Sequence, residues 1–161
     1  MKRVSLWMIG IGLCITMGLI TVEPGYAEDK DHATECTLAT LTGTYVFTAT
    51  GYTIASSGPE PKAIVEVIDF DGEGTLTVPA VSRSLNGVIL PNQVGLPGTY
   101  TVNDNCTGTI AFGEPGSGGP TFDIVIAPNG KECYMLQTNT NNVLAGVARR
   151  VAHDDADHDH R

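Results

Sequence analysis

The sequence predicts an all-β fold: an antiparallel up-and-down β-barrel of about eight strands, with a two-sheet β-sandwich as the alternative. Three observations carry this. Short runs of alternating apolar and polar residues recur from residue 43 onward. Glycine is abundant, at 19 residues, and several glycines fall in turn dipeptides such as Asp71-Gly72, Asn86-Gly87 and Asn129-Gly130. No eleven-residue window keeps a helical period. In a meander of eight strands the first and last run antiparallel and can pair, which removes both sheet edges.

Residues 1–27 read as a secretory signal peptide. Lys2 and Arg3 precede an apolar run, and Gly25-Tyr26-Ala27 places small residues at the −3 and −1 positions of a cleavage site. The weighed alternative is an uncleaved anchor over 6–22. Cys14 lies within this segment, and Leu13 stands where a lipoprotein signal needs a small residue. Removal of Lys2, Arg3 and Glu23 moves the net charge from −9 to −10. So acidic a chain repels phosphate, which argues against a nucleic-acid partner, and no stable membrane insertion is expected after cleavage. The localisation that follows is secreted or periplasmic.

Residues 28–42 form a charged N-terminal lead-in, 43–152 the β-barrel domain, and 153–161 a disordered His/Asp-rich tail. The expected strands are 43–50, 62–70, 74–82, 98–103, 106–113, 121–127, 131–138 and 143–151. A two-residue turn at Asp71-Gly72 would set Val67 against Leu76 and Val65 against Val78, facing inward. Glu66 would then lie opposite Thr77 on the other face, and Asp69 would share the inward face near the turn. Between 83 and 97, Asn86-Gly87 turns a further hairpin or the segment runs as an excursion over a barrel mouth; both stay open.

A three-residue loop, Asn103-Asp104-Asn105, with Asn105 left-handed, sets Val102 against Cys106 and Tyr100 against Gly108. Ile110 and Phe112 continue that inward face. Gly113 to Pro120 is too rich in glycine and proline for a strand and reads as a loop. A two-residue turn at Asn129-Gly130 pairs Ile126 with Cys133 and Ile124 with Met135. Val125 and Tyr134 share the opposite side, so this hairpin is expected to be buried on both faces.

Three cysteines remain after cleavage: Cys36, Cys106 and Cys133. Export implies one bridge and one leftover thiol. Cys106 and Cys133 are separated by strand 121–127, hence by two strand spacings of about 4.8 Å each, beyond the roughly 7 Å that a disulfide spans. Cys36 is free to reach, so the expected disulfide is Cys36–Cys106, pinning the lead-in to the hairpin and closing one end. Cys133 is then a small buried hydrophobe.

Cys36-x6-Gly43-Thr-Tyr45, Phe70-Asp71-Gly72-x-Gly74, Gly98-Thr-Tyr100-Thr-Val-x-x-x-Cys106-Thr-Gly-Thr and Gly146-Val-Ala-Arg149 together form a pattern. It resembles that of a broad group of uncharacterised exported bacterial small β-barrel proteins, calycin-like or allene-oxide-cyclase-like in outline. The resemblance covers most of the mature chain and implies a small secreted barrel. This chain departs from it at Asn105, where the pattern has aspartate; Asp104 stands one place earlier. Its motifs are structural, so no catalytic residue carries over.

No histidine falls in the barrel segment: His32 is in the lead-in and His153, His158 and His160 are in the tail. A histidine-based nucleophilic centre is therefore not expected, and no catalytic residue is assigned. A carboxylate-only mechanism would fall to the strand acids Glu66, Asp69 and Asp123, which read better as solvent-facing, Asp69 at the turn end of the inward face where water reaches it. The tail, with Asp154, Asp155, Asp157 and Asp159 among its histidines, could hold a divalent metal but reads better as a solvated acidic segment, so no metal site or cofactor is assigned. Asn105-Cys106-Thr107 matches a glycosylation sequon, discounted because its cysteine is used in a bridge. Tyr45, Phe47, Tyr100, Phe112 and Phe122 either fill the interior or line a pocket.

Three functions follow, and the reading leans away from an enzyme. The first is binding of a small apolar ligand or an envelope partner. The second is cyclase or isomerase activity in the same cavity. The third is metal binding through the tail.

Overall fold

The computed structural model describes residues 35–151. The signal-peptide segment 1–27, residues 28–34 of the lead-in and the tail 153–161 lie outside the described residues. A 3-10 turn, Leu38–Thr40, leads into nine strands. They are β1 (Thr42–Ala55), β2 (Gly58–Asp71), β3 (Thr75–Leu85), β4 (Val88–Gln93), β5 (Leu96–Val102), β6 (Thr107–Phe112), β7 (Thr121–Ile126), β8 (Glu132–Gln137) and β9 (Asn142–Arg150).

The sheet runs β2-β1-β9-β8-β7-β6-β5-β3-β4, and β2 also pairs with β3. That last pairing closes an eight-stranded antiparallel barrel, with β4 as a ninth strand hung on β3. First and last strands do pair: Tyr45 lies opposite Arg150 and Thr53 opposite Asn142. Segment 83–97 resolves as a hairpin. Asn86 and Gly87 take φ of 48° and 84° in its turn, and β4 returns along β3.

β1 and β2 are each 14 residues long, longer than the alternation suggested. The prolines of β2 explain the shortfall. Pro59 and Pro61 pair with Ile54 and Tyr52 of β1, but β3 reaches only as far as Lys62. Both prolines therefore sit where a ladder donor is not needed on the far side.

The β7–β8 register is the expected one, with Ile126 opposite Cys133 and Ile124 opposite Met135. Its turn begins earlier: the Ala127 carbonyl accepts from Gly130 N–H at 2.7 Å, which makes Pro128 and Asn129 the central residues. Its outer face is not buried, since Val125 and Tyr134 are about half exposed. In the β5–β6 hairpin the left-handed residue is Cys106, at φ 62°, rather than Asn105. The three-residue loop moves one place along, to Asp104-Asn105-Cys106, with the Asn103 N–H donating to the Thr107 carbonyl at 2.7 Å, so Tyr100 pairs with Ile110 and Val102 with Gly108. That shift of two leaves every side chain on its expected face.

Beside the turn the β2–β3 register differs from the expected one by three, and beyond a bulge between Val67 and Asp69 by four, with Glu66 opposite Val81. Phe70 pairs with Leu76 and Asp69 with Thr77, across a loop wider than two residues. The Asp71 carboxylate builds that loop by accepting N–H bonds from Glu73 (2.7 Å), Gly74 (3.0 Å) and Thr75 (3.0 Å), with the Thr75 hydroxyl on its other oxygen. The Thr75 hydroxyl and these amides hold the Asp71 carboxyl down at about 2. Gly72 and Gly74 supply the φ of 82° and 113° that the loop needs. An odd shift exchanges faces. Val65 is exposed and Val67 half-buried, while Glu66, Ile68 and Phe70 point inward. Asp69 faces outward between Thr44 and Thr77, and one of its carboxylate oxygens is buried without a hydrogen bond.

The interior divides into two aromatic groups. Tyr45, Phe70 and Tyr100 meet edge to face, with centroids 5.2 Å and 5.0 Å apart. The lead-in closes that end: the Tyr100 hydroxyl donates to the Leu41 carbonyl at 3.0 Å, and the Tyr45 hydroxyl donates to the Gly130 carbonyl. Cys36 and Cys106 stand at disulfide distance there, with Cα atoms 4.9 Å apart and a sequence separation of 70. Phe47, Phe112 and Phe122 form the second group at the other end, with Phe122 5.9 Å from Phe47 and 5.6 Å from Phe112. Gly146 makes room for this group, since a Cβ there would stand 2.7 Å from the Phe47 ring.

Candidate functional site

The second aromatic group does not fill its end of the barrel. A cavity of about 190 Å³ remains, walled by Phe47 of β1, Ile64 and Glu66 of β2, Val81 and Arg83 of β3, Leu96 of β5, Phe112 of β6 and Phe122 of β7. Gly113, Gly119 and Pro120 of the loop after β6 complete the wall. That loop is tied at its neck by the Phe112 N–H to Pro120 carbonyl bond (2.9 Å) and the Gly113 N–H to Pro97 carbonyl bond (2.7 Å). Larger hollows, such as the one of about 570 Å³ between β7, β8 and β9, lie on the outer sheet surface over Val125, Tyr134 and Leu136.

Only two side chains of the cavity wall carry charge, Glu66 and Arg83. Glu66 is 9 % exposed, and among the described residues neither a hydrogen bond nor an ion pair holds its carboxyl. Burial raises it from 4.5 to about 7, against a smaller opposing pull from the Arg83 charge. Near neutral pH this carboxyl is shared between its acid and its anion. Further out on the same face of β2, buried Lys62 donates to Gln137 Oε1 (2.7 Å) and Asn142 Oδ1 (2.6 Å). Burial lowers its pKa.

Comparison with protein-family models, curated proteins and solved structures finds no match.

Of the expected residues, the structure joins Cys36 to Cys106 and gathers Phe47, Phe112 and Phe122 at the cavity. Tyr45 and Tyr100 belong to the closed end. Asp123 is exposed on the outer face. Cys133 is fully buried and unbonded, and burial pushes its thiol up to about 12, which suits packing and not nucleophilic attack. The Asn105 side chain is engaged locally, accepting from the Thr107 hydroxyl at 2.7 Å. Among the described residues no group of three His, Cys, Asp or Glu could hold a metal. The tail's histidines and aspartates, and His32, lie outside the described residues.

Glu66 is the residue that sequence reasoning misplaced. A signal was available in the relative bulk of the two faces of β2: Ile64, Ile68 and Phe70 share the even-numbered face, and Val65, Val67 and Asp69 the odd. The heavier apolar set marks the inward side, and Glu66 belongs to it.

Proposed function

We propose that this protein is an exported small β-barrel that binds one small, largely apolar molecule in the cavity walled by Phe47, Phe112 and Phe122. The observation that supports it is the cavity's size and lining. An apolar cavity of roughly 150 Å³ accommodates benzene, so about 190 Å³ suits one ring with a small substituent. Aromatic walls with few polar groups are what ligand sites generally present. Export is supported by the Cys36–Cys106 pair, which fits an oxidising compartment, and among the described residues no helix is long and apolar enough to cross a membrane. The barrel and this cysteine pair also support placing the chain with the exported bacterial barrels it resembles.

The test is ligand-linked stability. Acetophenone, a substituted ring of the right size, should raise the melting temperature of the wild-type barrel, by about 2.7 kcal/mol of added stability at a hundred times its Kd. Ile64→Trp places an indole in the cavity and should abolish the shift while the disulfide and barrel persist. An equal shift in both proteins would place binding elsewhere.

Glu66 favours a second reading, isomerisation. A carboxyl that ionises near 7 can give or take a proton at neutral pH. In that reading Glu66→Gln binds substrate and loses turnover.

A further inference from the structure

We propose that the ligand of this cavity carries one uncharged oxygen acceptor, such as a ketone or ether oxygen, and that the Glu66 carboxyl recognises it by donating its O–H. The proposal rests on the cavity reading above and names the ligand's chemistry.

Glu66 is more than nine-tenths buried, lines the cavity and has no hydrogen-bond or ion-pair partner among the described residues. The carboxyl stands in an apolar wall with no protein group to pair with, and a ligand oxygen would supply that partner. The rest of the wall narrows the partner's charge. Arg83 repels an ammonium group on the ligand. A ligand carboxylate would have to be desolvated among three phenylalanines beside a second carboxyl. A pure hydrocarbon would fit but would leave the Glu66 hydroxyl unsatisfied. A neutral acceptor meets all three conditions.

Proton linkage follows. The acid form is the donor; burial favours it and the charge of Arg83 on β3 opposes it, while Lys62, further out on β2, is held by Gln137 and Asn142. Strands β1, β5, β6 and β7 face it with Phe47, Leu96, Phe112 and Phe122, none of which titrates. With the carboxyl at about 7, affinity for the oxygenated ligand should fall about tenfold between pH 6 and pH 8. Stronger binding at alkaline pH would contradict the donor role.

The experiment is calorimetric titration of the mature protein with acetophenone, its hydrocarbon isostere cumene, and the cation 1-phenylethylamine, at pH 6 and pH 8. The wild type should prefer acetophenone to cumene at pH 6 by about tenfold, the size of one hydrogen bond to a buried group. Glu66→Gln, which keeps an N–H donor, should bind acetophenone equally at both pH values. Glu66→Leu should lose the preference while still binding cumene. Equal binding of acetophenone and cumene to the wild type, or preference for the amine, would overturn this inference and leave the cavity reading standing. Failure of every probe to bind the wild type would overturn both.

Discussion

Raising the pH from 4 to 8 is expected to cost the wild-type barrel about 3 kcal/mol more stability than it costs Glu66→Gln. In the unfolded chain the Glu66 carboxyl ionises at its ordinary 4.5, and in the folded barrel at about 7. Between those values the native state holds a proton that the unfolded state has released. The stabilisation is therefore complete below 4.5, declines as pH rises, and is gone above 7. Chemical denaturation of both proteins at a series of pH values isolates the effect, because groups such as Asp71 contribute equally to each. Parallel curves for the two proteins would mean that Glu66 is solvated.

Loss of the Cys36–Cys106 disulfide is the second large effect, expected to cost about 2–5 kcal/mol. The bridge spans 70 residues, so it restricts much of the unfolded chain. In the folded state it holds the lead-in over the closed end. The Cys36 N–H donates to the Asp104 carbonyl at 3.0 Å, and the Leu38 and Leu41 carbonyls accept from the buried Tyr100 hydroxyl. The double variant Cys36→Ser, Cys106→Ser should melt well below the wild type and ignore reductant, whereas the wild type should lose stability on reduction. A double variant as stable as the oxidised wild type would show that packing alone secures the lead-in.

How much of this was legible in the sequence depends on how each turn is built. Asn129-Gly130 marks a short turn closed by the backbone, and the register of Ile124, Ile126, Cys133 and Met135 could be counted directly. At Cys106 the three-residue loop sits one place further along than expected, and the resulting two-residue shift in pairing preserved the faces, so Tyr100, Ile110 and Phe112 were rightly read as core. Asp71 defeated the same arithmetic because its side chain collects three backbone donors and widens the loop, which spacing alone does not reveal. The consequence fell on the candidate site, where Glu66 exchanged places with Val65 and Val67. The Cys36–Cys106 pairing was legible because strand spacing excludes a bridge from Cys106 to Cys133 across β7. The cavity was not, since whether Phe47, Phe112 and Phe122 fill the barrel or leave a void depends on a few ångströms of packing.

The account turns on the Glu66 carboxyl standing inside an apolar cavity, and a carbon-13 NMR titration of its side chain in the folded protein, assigned by its loss in Glu66→Gln, tests that directly. A midpoint near 7 is expected. A midpoint at the ordinary 4.5 would place the carboxyl in water and contradict it.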